Sequence, residues 1–252
     1  MGESKRMLNM HKRLEIALGD YGMIPEDSHV TVALSGGKDS SMLLHLLARK
    51  KILTHNNFKL SATLIKQGFA GDAKREAYLI ELCNSLEVPF HSIDADVKPL
   101  FETLKSKSPC YTCSRSRRMN LFKTAKEIGA TIIAMGHHRD DFIETLLMNL
   151  FYSSHIGTMK PNNPFFKGEF FVIRPMVYIH EYMIRAEAEE LGIPSFETEC
   201  GNEKTGERAH VKKIISEIYQ HYPNARTSMF RALFSLEDDY LLDKPSHNSV
   251  IK

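Results

Sequence analysis

The chain has 252 residues, of which 42% are hydrophobic and 9% aromatic, so it can bury a core and is too apolar for a disordered tail. Its 33 basic residues nearly balance 31 acidic ones, and the formal charge of +2 excludes a wholly basic nucleic-acid coat and an acidic solvating protein. Four cysteines without a secretory leader point to reduced thiols in a cytoplasm, and no apolar run approaches the roughly 18 residues needed to cross a bilayer.

Residues 1–28 are expected to form a helical segment, frayed over 1–5. The run VTVAL (30–34) predicts a buried strand that enters a glycine turn, after which Met42, Leu43, Leu46 and Leu47 recur at helical spacing. LSATLI (60–65) is a second strand, 72–86 a helix, and VPFHSI (88–93) a third, weaker strand. A helix over roughly 115–128 precedes the strand TIIAM (131–135) and a helix carrying Phe142, Ile143, Leu146, Leu147, Leu150 and Phe151 on one face. Residues 153–168, with Pro161, Pro164, two glycines and two asparagines, read as a long loop of the kind that often carries function. FFVIRP (170–175) is a strand ended by Pro175, and helices follow at about 180–191, 207–221 and 224–235 before a tail over 241–252, frayed from 244. Continuous apolar strands separated by helices predict an α/β fold whose parallel sheet, within 29–180, is covered on both sides, with a helical C-terminal extension over 181–240.

The strongest local signal is Ser35-Gly36-Gly37-Lys38-Asp39-Ser40, set between a buried strand and a helix start. Two glycines allow a sharp turn close to a ligand, and the helix start offers N–H groups to an anion such as phosphate. A Walker loop would need glycine where Val32 stands, and no GxGxxG spacing occurs. Ser-Gly-Gly-x-Asp-Ser in this setting resembles the pyrophosphate loop of the PP-loop ATP pyrophosphatases, which split ATP into AMP and pyrophosphate. That resemblance implies an adenine nucleotide alpha hydrolase-like domain of Rossmann type.

A second cluster, Gly136-His137-His138-Arg139-Asp140-Asp141, stands at the end of TIIAM. Carboxylates at a strand's C-terminal edge lie where open α/β sheets bind ligands, and beside a triphosphate they hold Mg²⁺; one of the two acids could instead be an ordinary helix cap. Cys110 and Cys113 form a lone CxxC, which by itself fits a redox pair, half of a zinc site or part of an iron–sulfur site. Cys83, in ELCNSLEV, reads as a small buried hydrophobe. From 103 to 126 there is no acid, while Lys105, Lys107, Arg115, Arg117, Arg118, Lys123 and Lys126 all fall there. Arg208, Lys212, Lys213, Arg226 and Arg231 could extend this patch toward an RNA backbone, although a solvated basic helix is the plainer alternative.

GHHRDD followed by FIETLLMNLFY, together with Cys110-Tyr111-Thr112-Cys113-Ser114-Arg115-Ser116-Arg117-Arg118, VIRPM (172–176) and the later Cys200-Gly201, resembles the TtcA family, the PP-loop enzymes that make 2-thiocytidine in tRNA. The resemblance covers roughly 28–235 and implies that Cys110, Cys113 and Cys200 hold a [4Fe-4S] cluster with one iron left without a protein ligand. It implies an ATP- and Mg²⁺-dependent tRNA thiolase: the C2 oxygen of the base, cytidine, attacks the α-phosphate, and sulfur carried as sulfide or persulfide then displaces AMP. The candidate catalytic residues are Lys38, Asp39, Arg117 and Asp141, with Lys38 and Arg117 stabilising charge on phosphate. Candidate ATP contacts are Ser35, Gly36, Gly37, Asp39, Ser40, Leu64, Gly136, Asp140 and Asp141, with adenine against the backbone after Leu64 and Ile65. Candidate RNA contacts are Arg115, Arg118, Lys123, Arg208 and Lys212. The expected partners are tRNA, a sulfur donor (a cysteine desulfurase or sulfide) and a second copy of the chain in a homodimer, with no membrane. The alternatives are a 2-thiouridine-forming or other PP-loop tRNA-modifying enzyme, or a non-enzymatic iron–sulfur and nucleotide-binding redox sensor.

Overall fold

The apolar runs extend as strands because both faces of each are covered, which removes any need for polar alternation. A computed structural model describes residues 4–53, 57–69, 71–97, 109–194, 196, 206–237 and 239, apart from the side chains at 109 and 110. Cys200, Lys105, Lys107 and the tail from 240 lie outside the described residues. Strands β1 (His29–Leu34), β2 (Lys59–Lys66), β3 (Phe90–Asp94), β4 (Ile132–Ala134), β5 (Asn162–Phe165) and β6 (Phe170–Ile173) form one sheet in the order β3-β2-β1-β4-β6-β5. All pairings are parallel except that of β5 with β6.

One face of the sheet carries helix α2 (Lys38–Leu53), whose Leu43, Leu44, Leu46 and Leu47 are each 0% exposed. Burial on all sides follows from its place between the sheet and helices α1 (Lys5–Asp20) and α6 (Glu181–Glu190). Each such leucine contributes roughly 1.5–3 kcal/mol by leaving water. Ser4 caps α1, its Oγ accepting from Met7 N–H at 2.9 Å and donating to the Glu187 carboxylate of α6 at 2.8 Å. Helix α3 (Asp72–Ser85) flanks β2 and β3, and its Cys83 is fully buried, with burial pushing the thiol up to about 12, an inert hydrophobe as its setting suggested. The other face of the sheet is closed by α4 (Pro109–Glu127) through Leu121, Phe122 and Ala125. Helices α5 (Arg139–Tyr152), α7 (Glu207–His221) and α8 (Ala225–Ala232) share a third apolar cluster around Phe142, Val211 and Phe230. Among the described residues no helix is long and apolar enough to cross a membrane.

Two departures from the sequence reading have physical causes. Residues 153–168 are not all loop: β5 and a short 3-10 turn (Phe166–Gly168) lie inside them. Pro164 argues against a ladder strand, but β5 is the antiparallel edge, where a missing N–H is tolerated. Phe165 and Phe166 hold it down, with ring centroids 5.1 and 5.0 Å from Phe122. Helix α4 begins at Pro109 rather than near 115, proline being well suited to a helix's first turn.

Strands β1 to β3 run out to one side, and β4 then returns to the other side of β1. The carboxyl ends of β1 and β4 therefore flank the switch point, where open α/β sheets form their ligand crevice.

Candidate active site

β1 ends at Leu34, and the chain turns through Ser35, Gly36 and Gly37 into α2. Gly36 has φ +80°, and a side chain there would strike Cγ of Arg75 and stand 2.7 Å from its Cδ, so both conformation and space require glycine. The Ser40 hydroxyl staples the turn: it donates to the Gly37 carbonyl at 3.1 Å and accepts from Ser35 N–H at 3.1 Å. Ser35 Oγ accepts from Gly37 N–H at 3.3 Å. The result is a rigid loop opening onto a helix N-terminus, whose dipole favours an anion.

The loop after β4 presses against this turn. A Cβ on Gly136 would lie 2.8 Å from the Ser40 nitrogen and 2.9 Å from the Asp39 carbonyl carbon, so backbone meets backbone. His138 N–H donates to Asp141 Oδ2 at 2.8 Å, fixing the start of α5. The His138 ring, 2% exposed, stands between two carboxylates: Nδ1 is 3.4 Å from Asp141 Oδ2 and Nε2 is 3.8 Å from Asp39 Oδ1. Asp39 Oδ1 is buried without a hydrogen-bond partner.

Together these elements line a cavity of about 220 Å³. Ser35, Asp39 and Ser40 form one wall, Gly136, His137 and Asp141 another, and Ile65 and Met135 add apolar surface. Arg117 and Leu121 of α4 complete it. Leu64 is in the core at 1% exposure, so Ile65 is the side chain that β2 offers the cavity. Asp140 turns elsewhere: its Oδ2 accepts Glu181 N–H at 2.8 Å, capping α6, and its Oδ1 lies 3.7 Å from Arg226 Nε. The two neighbouring acids thus separate into Asp141 at the cavity and Asp140 at a helix junction.

Lys38 is tethered behind the loop, 3.1 Å from Asp39 Oδ2 and 3.2 Å from Glu181 Oε1. Burial works to lower its pKa, but the two carboxylates outweigh burial and hold the ammonium above its usual range. Glu181 is burdened by burial yet falls to about 2 because Lys212, His138 and Lys38 surround it. His137 is pulled down to about 4 by burial, opposed by Asp141 and assisted by Arg174 and Arg208, which makes it neutral at physiological pH. Arg174, at the end of β6, is lowered to about 10 by burial and by Arg118.

Behind the cavity Asp72 forms a tie. Its Oδ2 accepts N–H groups of Gln67, Gly68 and Phe69 at 3.0, 3.0 and 3.1 Å, and its Oδ1 binds Arg75 Nη1 at 3.0 Å, the side chain packed on Gly36. Gln67 Nε2 then donates to the carbonyl of Cys113 at 3.0 Å. The CxxC helix is therefore joined to the turn after β2 and forms a wall of the cavity through Arg117.

Positions 110 and 113 lie at the start of α4, and Cys113 is half-buried; the Cys110 side chain and Cys200 lie outside the described residues. Arg115, Arg118 and Lys123 are exposed on α4. Arg208 Nε and Lys212 Nζ lie 3.5 and 3.4 Å from Glu144, which is buried in α5, so part of their charge is committed inside the protein. Burial raises the Glu144 pKa, and Lys212 opposes it most. Among the described residues no group of three His, Cys, Asp or Glu side chains holds a metal by itself. Asp39, with its unpartnered oxygen, and Asp141 suit Mg²⁺ bound jointly with phosphate oxygens, since that ion commonly takes only one or two protein carboxylates.

Sequence reasoning missed His138 as a bridge, Glu181 as the partner of Lys38, and the tie of Gln67, Asp72 and Arg75. Arg174 lies in the VIRPM run, and only its position at a strand's carboxyl end could have singled it out.

A PP-loop domain model matches residues 7–218. The tRNA-cytidine(32) 2-sulfurtransferase of Nitrosospira multiformis is 36% identical over 93% of this chain and 80% of its own length. That of Burkholderia multivorans is 35% identical over 96% of this chain and 73% of its own. Among solved structures, the U34-tRNA thiolase NcsA from Methanococcus maripaludis with its [4Fe-4S] cluster superposes with a TM-score of 0.76 at 21% identity, covering 92% of this chain and 80% of that one.

Proposed function

The chain belongs to the PP-loop family and groups with its tRNA-cytidine(32) 2-sulfurtransferases, and from that premise we propose that it is an ATP-dependent tRNA thiolase acting on C2 of a cytidine. The observation that carries the reading is the shared wall: the helix that begins with Cys110 and Cys113 also places Arg117 in the cavity behind the phosphate loop. Activation and sulfur delivery need to occur at one base, and this helix serves both.

In this reading the ATP phosphates lie against the Ser35–Ser40 turn and the α2 N-terminus, where Asp39 and Asp141 would hold Mg²⁺, an ion that would supply positive charge to the phosphates. The base oxygen attacks the α-phosphate, pyrophosphate leaves, and the adenylated C2 then exchanges AMP for sulfur. Arg117 faces the developing charge on phosphate, while Lys38, fixed by Asp39 and Glu181, keeps the loop in register. His137, neutral at physiological pH, adds no positive charge of its own beside the phosphates. Cys110, Cys113 and Cys200 would hold a [4Fe-4S] cluster, which would supply an iron able to carry the sulfur; half-buried Cys113, four residues before the cavity-lining Arg117 on the same helix, fits that role. A cysteine desulfurase or free sulfide as donor, a homodimer and a cytoplasmic setting complete the proposal.

Anaerobically reconstituted protein given ATP, Mg²⁺, sulfide and unmodified tRNA is expected to release AMP and pyrophosphate only when tRNA is present. Nucleoside mass spectrometry should then show 2-thiocytidine. AMP release that no RNA stimulates would end this reading.

A further inference from the structure

The first turn of α5 separates two cavities. Asp141 lines the nucleotide cavity, and Arg139, two residues earlier and so on the opposite side of the helix, lines a second cleft of about 360 Å³. Its other walls are Asn9, Lys12, Arg13 and Ile16 of α1 and Tyr178 from the connection between β6 and α6. Three of the six are cations and none is an acid.

The two guanidinium groups are held in place before any ligand arrives. Arg13 donates from Nε to Asn9 Oδ1 at 2.8 Å and from Nη1 to the Tyr178 carbonyl at 3.1 Å. Arg139 lies 4.3 Å over the Phe230 ring, and its Nη1 is 3.0 Å from His180 Nε2. Its Nε is buried with no acceptor. His180 is held down to about 4, by burial first and by Arg139 next, so at neutral pH it is uncharged and accepts from Arg139. The neighbouring acids are already engaged: Glu15 with Lys50 at 2.8 Å, Asp20 with the Tyr178 hydroxyl at 2.8 Å, and Asp140 with the α6 N-terminus and Arg226. Lys12 is exposed at the rim.

Planar, prefixed guanidiniums beside a lysine and an orphaned donor suit the oxygens of a phosphodiester. We propose that this cleft is a backbone-phosphate site for the RNA substrate, held by Lys12, Arg13 and Arg139, and that the RNA therefore crosses α1 on its way to the cavity. The inference rests on the substrate being a tRNA and extends the interface beyond the basic face of α4.

The test is tRNA binding by fluorescence anisotropy across a salt series, for the wild-type chain and for Lys12→Gln/Arg13→Gln. Each phosphate contact contributes about 0.7–0.9 to the slope of log K against log salt. Losing two should lower the slope by about 1.4–1.8, which is roughly 30-fold weaker binding at 0.1 M salt, converging on wild type near 1 M. Lys12→Glu, at an exposed position, gives the same direction should the double variant unfold, and Arg13→Lys should recover most of the slope. Titration with inorganic phosphate forms the second arm: phosphate binding lost in the variant while the RNA slope stays unchanged would make this a small-anion site and overturn the proposal. An unchanged slope with intact thiolation overturns this inference alone. A wild-type chain that binds tRNA with the expected slope but thiolates none leaves the cleft standing and removes the proposed function.

Discussion

Gly136→Ala tests the contact on which the site's geometry depends. The added methyl would stand 2.8 Å from the Ser40 nitrogen, 2.9 Å from the Asp39 carbonyl carbon and 3.0 Å from the Ser40 Cα. All three are backbone atoms of the first turn of α2, so no side chain can swing away. The loop after β4 and that helix start must separate by roughly half an ångström, an overpacking strain of about 1–3 kcal/mol. Asp39 and Ser40 move relative to Gly136, His137 and Asp141 across the cavity, and because a displacement of about 1 Å can cost 10²-fold in rate, roughly tenfold is expected here. Thermal unfolding should fall by roughly 3–10 °C, and tRNA-dependent AMP release should drop about tenfold with a raised KM for ATP. Gly19→Ala in α1, where a Cβ meets nothing within 4 Å, is the control and should be neutral or stabilising by up to about 1 kcal/mol. Wild-type melting and turnover in Gly136→Ala would refute the close approach.

His137 and His180 are both held at about 4 and return toward 6.5 when the chain unfolds. The unfolded chain thus binds protons that the folded one refuses between those values, so their contribution is whole above pH 6.5 and is lost as pH falls toward 4. Glu181, held at about 2 against 4.5 unfolded, stabilises above pH 4.5 and loses its contribution as pH falls toward 2. Urea unfolding from pH 8 to 4 should show the first decline, and His137→Gln/His180→Gln should flatten it; an identical decline in the variant would disprove the assignment. For the thiols, Cys200→Ala is expected to abolish the broad iron–thiolate absorption of anaerobically prepared protein, and a full, stable chromophore in that variant would remove Cys200 from the ligand set.

The order of strands and helices was legible because strands of a buried parallel sheet are continuous apolar runs, as VTVAL and LSATLI are, and because Gly36 and Gly37 mark where β1 gives way to α2. The two ligand loops were legible for the same reason: both follow strands at the switch point. Partnerships across long stretches of chain were not. Lys38 and Glu181 are 143 residues apart, and nothing local at either position announces the other. Asp140 and Asp141 look alike in sequence, and only the direction in which α5 sets off sends one to the cavity and the other to cap α6. Edge strand β5 escaped because Pro164 and its asparagines carry the marks of a loop, while its membership depends on pairing with β6.

The Asp72 carboxylate has an implication for inheritance. It holds the turn carrying Gln67, which reaches Cys113, and it holds Arg75, which lies on Gly36. Changes at Gln67, Asp72 and Arg75 therefore share one anchor, and the damage of any two should fall short of their sum in a double-mutant cycle. A lineage that alters one of the three has already spent most of the loss, so these positions are free to drift only as a set.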